Sequence, residues 1–313
     1  MPTPAINATT WYYDTDYLDH PYLIAAGVLE TEEGLLIVDP GPTTALETLT
    51  AKLADDGYTW DDVHALLLTH IHLDHAGATG SILERARHLT VYVHERGAPH
   101  MIRPGRLLRS AKRIYGEEMD RLWGDFLPVP DESVHVLTGG ETLSLGGRTL
   151  EVAYTPGHAQ HHVSYYDHAS DTAFIGDVGG MRVAGSAYIV PVMPPPDVDI
   201  AAWHDSLQTV RDWNPERIFL THFGPHDDVA RHLDEMEARV DEFADDVRTR
   251  LAAADKEHDA LAQSFAEAEV QRMREAIADD DVRTAYERFG QPIDSWNGLV
   301  RYWTKRQEAA SNP

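Results

Sequence analysis

Short apolar runs punctuated by turn residues dominate the first 222 positions, and a three- and four-residue apolar spacing takes over beyond Pro225. The runs Tyr22 to Leu29 and Leu35 to Val38 flank Glu32-Glu33-Gly34 and predict a β-hairpin. Asp39-Pro40-Gly41-Pro42 stops the second run, and Thr43 or Thr44 is placed to cap a helix reaching about Ala54. Val63 to Leu68, with its Ala-Leu-Leu-Leu core, reads as a buried strand, and Leu89 to Val93 as another. Residues 99–130 depart from this pattern as a mostly helical, arginine-rich insertion, better suited to a structural cover than to a substrate lid. From Val134 to Phe174 short alternating runs are separated by Gly139-Gly140 and Gly146-Gly147, as expected of the second half of a sheet.

The tail holds only helix signals. Leu233, Met236, Val240, Phe243, Val247 and Leu251 fall on one face of a long helix. Leu261, Phe265, Ala268, Met273 and Ile277 mark a second, followed by shorter helical pieces carrying Phe289, Trp296, Leu299 and Trp303. The expected organisation is a catalytic segment at 1–228, with its insertion at about 98–130, and a helical extension at 229–313 that packs on the domain or on a second subunit.

The chemistry sits where the apolar runs end. Val63 to Leu68 leads into Thr-His-Ile-His-Leu-Asp-His at 69–75, which places His70, His72, Asp74 and His75 at a strand terminus. A sharp turn there lets His70 and His72 point the same way while Asp74 and His75 open a helix, an arrangement that suits two adjacent ions. Imidazole and carboxylate without thiolate suit zinc, iron or manganese. Three later runs repeat the logic: Leu150 to Tyr154 leads to His158, Thr172 to Ile175 to Asp177, and Arg217 to Leu220 to His222. One sheet edge gathers all seven residues if these strands are neighbours. Asp39 ends a strand near the same place and is a candidate to orient one of the ligands.

Charge narrows the partners. The 313 residues include 52 acidic and 26 basic side chains, a formal net charge of −26, which disfavours a nucleic-acid backbone or an anionic membrane. Only four of the basic residues are lysine, Lys52, Lys112, Lys256 and Lys305. Cys is absent, so there is neither a disulfide framework nor a thiolate zinc site. Residues 1–10 lack a basic start and an apolar core, and no apolar run reaches the roughly 18 residues of a membrane span. The expectation is a cytoplasmic protein acting on a small-molecule substrate, with a homodimer through the helical regions as one arrangement.

The series His70-x-His72-x-Asp74-His75, Thr155-Pro-Gly-His158, Gly176-Asp177 and Thr221-His222 resembles the signature of the metallo-β-lactamase superfamily over about residues 18–228. That resemblance implies an α/β fold, a four-layer αββα sandwich with the metals at one edge. It implies two divalent ions, zinc first and iron or manganese as alternatives: His70, His72 and His158 on one, Asp74, His75 and His222 on the other, Asp177 bridging. An aspartate at 177 is similar to glyoxalase II and the acyl-homoserine lactonases, and departs from the antibiotic-hydrolysing lactamases, which disfavours penicillin-type substrates. The insertion, Pro156 to His162 and the segment around Pro194-Pro-Pro196 resemble one branch of these hydrolases.

The expected function is a dinuclear hydrolase in which a hydroxide shared by the ions attacks an ester, thioester or lactone carbonyl. Asp74 and Asp177 are the catalytic carboxylates, Asp74 also helping to accept or return the proton. His162, Arg182 and Tyr188 are candidates for substrate contact. The competing reading is a mononuclear iron dioxygenase similar to the persulfide dioxygenases, using His70, His158 and Asp177; a scaffold that has lost activity, and phosphodiesterase or β-lactamase side activity, are further alternatives. No basic motif in the tail matches the glutathione-holding residues of glyoxalase II.

Overall fold

Strand residues bury both faces in this chain, which is why so many of its runs read as continuously apolar. The computed structural model describes residues 5–183, 186–253, 258–289 and 292–311. The first four residues of the expected catalytic segment, the last two of the extension and the side chain of Phe289 lie outside the described residues.

Seven strands form the first sheet in chain order: β1 (Ala5–Asn7), β2 (Thr10–Asp14), β3 (Ala25–Thr31), β4 (Gly34–Val38), β5 (Val63–Leu67), β6 (Thr90–His94) and β7 (Val134–Leu137). Its first four strands are antiparallel, and β4 to β7 run parallel. The second sheet holds β8 (Thr142–Leu145), β9 (Arg148–Tyr154), β10 (Val163–Asp167), β11 (Thr172–Phe174), β12 (Arg217–Leu220) and β13 (Gly224–His226), in the order β13-β12-β11-β10-β9-β8. Both sheets are mixed, since β11 and β12 are parallel among antiparallel neighbours. The stretch from Val134 to Phe174 is therefore divided: β7 closes the first sheet and only β8 to β11 belong to the second.

The period-two alternation builds three apolar layers. Leu36, Val38, Ala65 and Leu67 point between the sheets, where they meet Phe174 and Phe219. Their neighbours Leu35, Ile37, Leu66 and Leu68 face outward beneath α1 (Leu46–Asp55), α2 (Leu73–Ala76) and α3 (Thr79–Arg85). In the second sheet Ala173, Ile175, Ile218 and Leu220 face α7 (Ile200–Trp213) and the tail, while Phe174 and Phe219 between them face inward. The sheets approach closely at Gly27, where an added Cβ would stand 2.8 Å from the Phe174 ring. The result is a four-layer αββα sandwich.

The insertion forms α4 (Ala98–Ile102), α5 (Gly105–Tyr115) and α6 (Met119–Leu122), with Ala111, Trp123 and Phe126 buried against the first core. Thr43 and Thr44, expected as helix caps, make no capping bond. Their hydroxyls instead donate to Asp125 O at 2.6 Å and Leu122 O at 2.8 Å, tying the insertion to the loop after β4.

The tail comprises α8 (Val229–Ala252), α9 (His258–Ala276), α10 (Asp280–Phe289) and α11 (Pro292–Ser311). The last is longer than the short pieces expected, because Trp296 and Leu299 are wholly buried and hold the helix on α8 and α9. Met273, Ile277, Ala285 and Tyr286 continue round into the first core, so the tail packs on both halves of the sandwich. Among the described residues no helix is long and apolar enough to cross a membrane.

Two buried polar groups lock this arrangement. Arg148, 5% exposed, pairs with Asp167 and donates to Glu30 O at 2.7 Å and to Thr9 and Thr10 hydroxyls, joining the sheets at their far end. Arg148→Ala should cost about 3–5 kcal/mol by stranding the Asp167 charge, read as a lower urea midpoint; adding Asp167→Asn should recover part of the loss. His226 and His232 stack 5.7 Å apart and donate Nε2–H to Arg182 O and Gly179 O. Burial holds them below the ordinary imidazole value, at about 4 and about 3. The unfolded chain thus takes up protons near pH 6.5 that the folded chain refuses, so their contribution is complete above that pH and is lost as pH falls toward 4. His232→Gln should flatten the fall in urea midpoint between pH 6.5 and 4 relative to the parent.

Candidate metal centre

Five strands end at one edge of the sandwich, and each delivers a polar side chain there. Beyond β4 comes Asp39; beyond β5 come His70 and His72, with Asp74 and His75 in α2; beyond β9, β11 and β12 come His158, Asp177 and His222. Gly176 makes the turn that presents Asp177: its φ is +45°, and a Cβ there would stand 2.7 Å from Thr69 Oγ1 and 2.8 Å from His162 Nε2.

The seven residues named from sequence converge on two foci. In the first, His72 Nδ1 lies 3.0 Å from His70 Nε2 and 2.8 Å from His158 Nε2. In the second, His75 Nε2 and His222 Nε2 are 3.2 Å apart, and Asp74 Oδ2 stands 3.6 and 3.4 Å from them. Asp177 divides its oxygens between the two. Oδ2 is 3.4 Å from His158 Nε2 and 4.0 Å from His70 Nε2, whereas Oδ1 is 3.1 Å from His75 Nε2 and 3.5 Å from His222 Nε2. Donors around a tetrahedral ion with metal–nitrogen bonds of about 2.0–2.1 Å are about 3.3 Å apart, so these spacings fit an ion at each focus. Groups drawn from His70, His72 and His158, and from Asp74, His75 and His222, are each compact enough to hold one.

The orientation of the rings supports the same reading. His75 Nδ1 donates to Asp39 Oδ2 at 2.8 Å, His158 Nδ1 to Val192 O at 2.6 Å and His222 Nδ1 to Leu23 O at 2.7 Å. His70 Nδ1 is 3.1 Å from Thr69 Oγ1, whose own proton goes to Asp39 Oδ2 at 2.7 Å. Fixing Nδ1–H outward leaves the Nε2 lone pair of each ring pointing inward, the state a metal requires. Burial and the neighbouring imidazoles hold His70 well below its ordinary value, and His72 falls to about 3. Burial also works against a charge on His75, but Asp177, Asp74 and Asp39 outweigh it and hold that ring well above the ordinary value. Asp177 is held well below the carboxylate range, its burial outweighed by His75, His158 and His222. Its buried Oδ1 faces the His75 and His222 rings, at 3.1 and 3.5 Å. Buried carboxylates and inward lone pairs together fit cations.

Asp39 sits at the hub. It is fully buried at a left-handed φ of 50° and accepts from Thr69 N, Thr69 Oγ1, Thr221 Oγ1 and His75.

The other three candidates lie elsewhere. His162 is fully buried behind His70, stacked on it at 5.1 Å with Nδ1 beside Thr155 Oγ1. Arg182 makes a two-pronged bond to Asp228 at the start of α8, and Tyr188 donates to Glu269 beneath the Arg239 guanidinium. None of them lines the cavity of about 1140 Å³ that opens onto His72, Asp74, His158 and Asp177. Its walls come from the insertion, the segment 190–197 and the tail, and include His161, Arg96, His100 and Tyr115, which sequence reasoning passed over. His161 is the immediate neighbour of His162 in the same Pro-Gly-His-x-x-His-His stretch, and that adjacency was the one signal pointing to it.

Asp39→Asn should weaken divalent-metal affinity about 10–100-fold, measured by chelator competition on protein whose circular dichroism is unchanged. Unaltered affinity would remove Asp39 from any part in orienting His75.

Comparison with known proteins agrees with this geometry. A family model described as the metallo-beta-lactamase superfamily matches residues 21–222. A metallo-beta-lactamase fold-containing protein of Sulfurisphaera tokodaii is 25% identical over 66% of this chain and 75% of its own length. A hydroxyacylglutathione hydrolase of Synechococcus is 30% identical over 45% of this chain, a match spanning only 42% of that enzyme. Among solved structures, an archaeal metallo-beta-lactamase superfamily protein from Sulfolobus tokodaii superposes with a TM-score of 0.66 at 20% identity, over 96% of this chain and 99% of that one. With the family model covering β3 to β12 and every donor of the two foci, the chain belongs to the metallo-beta-lactamase superfamily.

Proposed function

We propose that the chain is a hydrolase that holds two divalent ions, zinc foremost, and cleaves a carbonyl ester, thioester or lactone. The observation that carries this reading is the division of Asp177: one oxygen faces the His70, His72 and His158 set, and the other faces His75 and His222 with Asp74. A mononuclear site would use His70, His158 and Asp177 alone and would leave the second set, equally compact and equally pinned, without a task. The relation to a hydroxyacylglutathione hydrolase supports hydrolysis as the reaction class.

Bound at these foci, the ions would supply Lewis-acid polarisation of a carbonyl and a water nucleophile at neutral pH. The chain's own residues do the rest. With the ions bound, His70, His72, His158, His75 and His222 would present neutral nitrogens, and the Nδ1 partners of His70, His75, His158 and His222 fix the directions of four of them, which removes reorganisation from the reaction. Asp177 keeps the two foci in register. Asp74 has 14% of its side chain exposed, whereas Asp177 has 2% and His75 and His222 none. Asp74 is thus the more open of the two carboxylates at the cavity floor, where it can accept a proton from water and return it to a leaving group. Leu23, Ile71 and Leu73 beside the cluster are buried and apolar, and keep bulk water from competing.

The experiment is metal analysis and a hydrolysis panel of lactones, thioesters, aryl esters and phosphodiesters on zinc- and manganese-loaded protein. About two ions per chain and turnover of a carbonyl substrate are expected. Asp177→Ala and His72→Ala should lose metal and activity together. One iron per chain with oxygen uptake on persulfide would overturn the hydrolase, as would full turnover by either variant.

A further inference from the structure

The cavity above the metal centre has two chemically distinct zones. Its inner wall is apolar and assembled from separate parts of the chain: Tyr17 and Leu23 before and beside β3, Ala111 and Trp123 of the insertion, Val190 and Met193 of the proline-rich segment, all buried. Its outer wall carries Arg96, Arg106 and Arg288, all exposed, from the loop after β6, from α5 and from α10. In a chain with a formal net charge of −26, a cluster of arginines at one cavity mouth runs against the overall field.

The acids lining the same cavity do not cancel it. Glu118 pairs with Arg121, and Glu287 is held 3.1 Å from Arg274. Asp294, on α11, is half-buried, and burial raises its carboxyl from the ordinary value. Asp197, in the proline-rich segment, is the remaining lining carboxylate outside the metal centre. Arg96 donates to the amide oxygen of Gln160 at 2.9 Å and lies 5.8 Å over the Tyr154 ring, two partners that carry no formal charge. Ile114, 40% exposed, continues the apolar surface outward toward the arginines. At about 1140 Å³ the space is at or above the roughly 300–1,000 Å³ of ordinary small-molecule pockets.

We infer that the cavity selects an anionic amphiphile: an ester or thioester whose scissile carbonyl reaches the metal centre, with an apolar arm along the inner wall and a phosphate or carboxylate at the arginines. This rests on the hydrolase reading for the position of the carbonyl, but the cavity's own recognition does not. Guanidinium groups suit either anion through paired N–H donors. Each methylene that leaves water for the inner wall strengthens binding by roughly four-fold, so affinity rises with arm length until the wall ends.

Calorimetry on the metal-loaded protein with butyl, hexyl and octyl phosphate, with the matching alkyl carboxylates, and with octyl glucoside as the uncharged control tests this. Octyl phosphate or its carboxylate counterpart should bind at least ten-fold more tightly than the butyl member and more tightly than octyl glucoside; whichever anion binds better identifies the head group. The double variant Arg106→Ala, Arg288→Ala should weaken anion binding about three- to ten-fold and reduce its dependence on salt, with octyl glucoside unchanged. Ile114→Ser should reduce the gain per methylene. Equal binding of butyl and octyl members, or anion affinity untouched by the double variant because the head sits on the metals, would overturn the inference. If the amphiphiles bind as stated but no ester, thioester or lactone is cleaved, the hydrolase reading fails and this one stands; if short neutral esters turn over while octyl phosphate does not bind, the reverse holds.

Discussion

A carboxylate buried away from water must find donors, and the donors Asp39 finds are what bring this edge of the molecule together. Two come from Thr69 at the end of β5, one from Thr221 at the end of β12, and one from His75 in α2. A single side chain thus joins the first sheet, the second sheet and the motif helix. Because charge-assisted bonds are directional and strong in a low dielectric, the same contacts that satisfy Asp39 also set the rotation of His75 directly and of His70 through Thr69. The left-handed backbone at Asp39 is strain held in place by these bonds.

From that hub the centre is assembled with little freedom. The sandwich supplies parallel neighbours β4, β5 and β6 on one side and β11 with β12 on the other, and their ends open at the same edge. Backbone carbonyls of Leu23 and Val192 orient two more rings, His222 and His158, which are pinned from segments far away in sequence. Side chains locked by packing and outer hydrogen bonds make a precise site, and here nearly all the locking groups are buried. The cavity above is built differently. Its walls are the insertion, the proline-rich segment and the helical tail, peripheral elements that can vary while the sandwich and its donors remain unchanged.

The insertion covers the core and lines the cavity with the same residues. Ala111 of α5 and Trp123 after α6 are buried in the first core, as a structural cover would be. They also line the space over Asp74 and Asp177, together with Arg106, Ile114 and Tyr115. A helix laid across a site edge does both because its apolar stripe spans the border between the core and the cavity.

The sequence by itself located the strand ends and the seven candidate donors, because each donor follows closely on an apolar run; the αββα sandwich was implied by the family resemblance that those motifs carry. The sequence offered Asp39 as a candidate to orient a ligand from its place at a strand end, where an ordinary turn aspartate reads the same; the hydrogen bonds that separate the two come from remote segments. It did not determine that Val134 to Leu137 joins the other sheet, nor that Thr43 and Thr44 hold the insertion, because pairing between remote segments leaves no local trace. His162, Arg182 and Tyr188 have the chemistry of substrate contacts, yet they point into the core or the tail, and the neighbouring His161 faces the cavity instead. Which of two adjacent side chains faces a cavity is decided by the turn that carries them and by the remote helices that form the opposite wall; only the tertiary structure contains both.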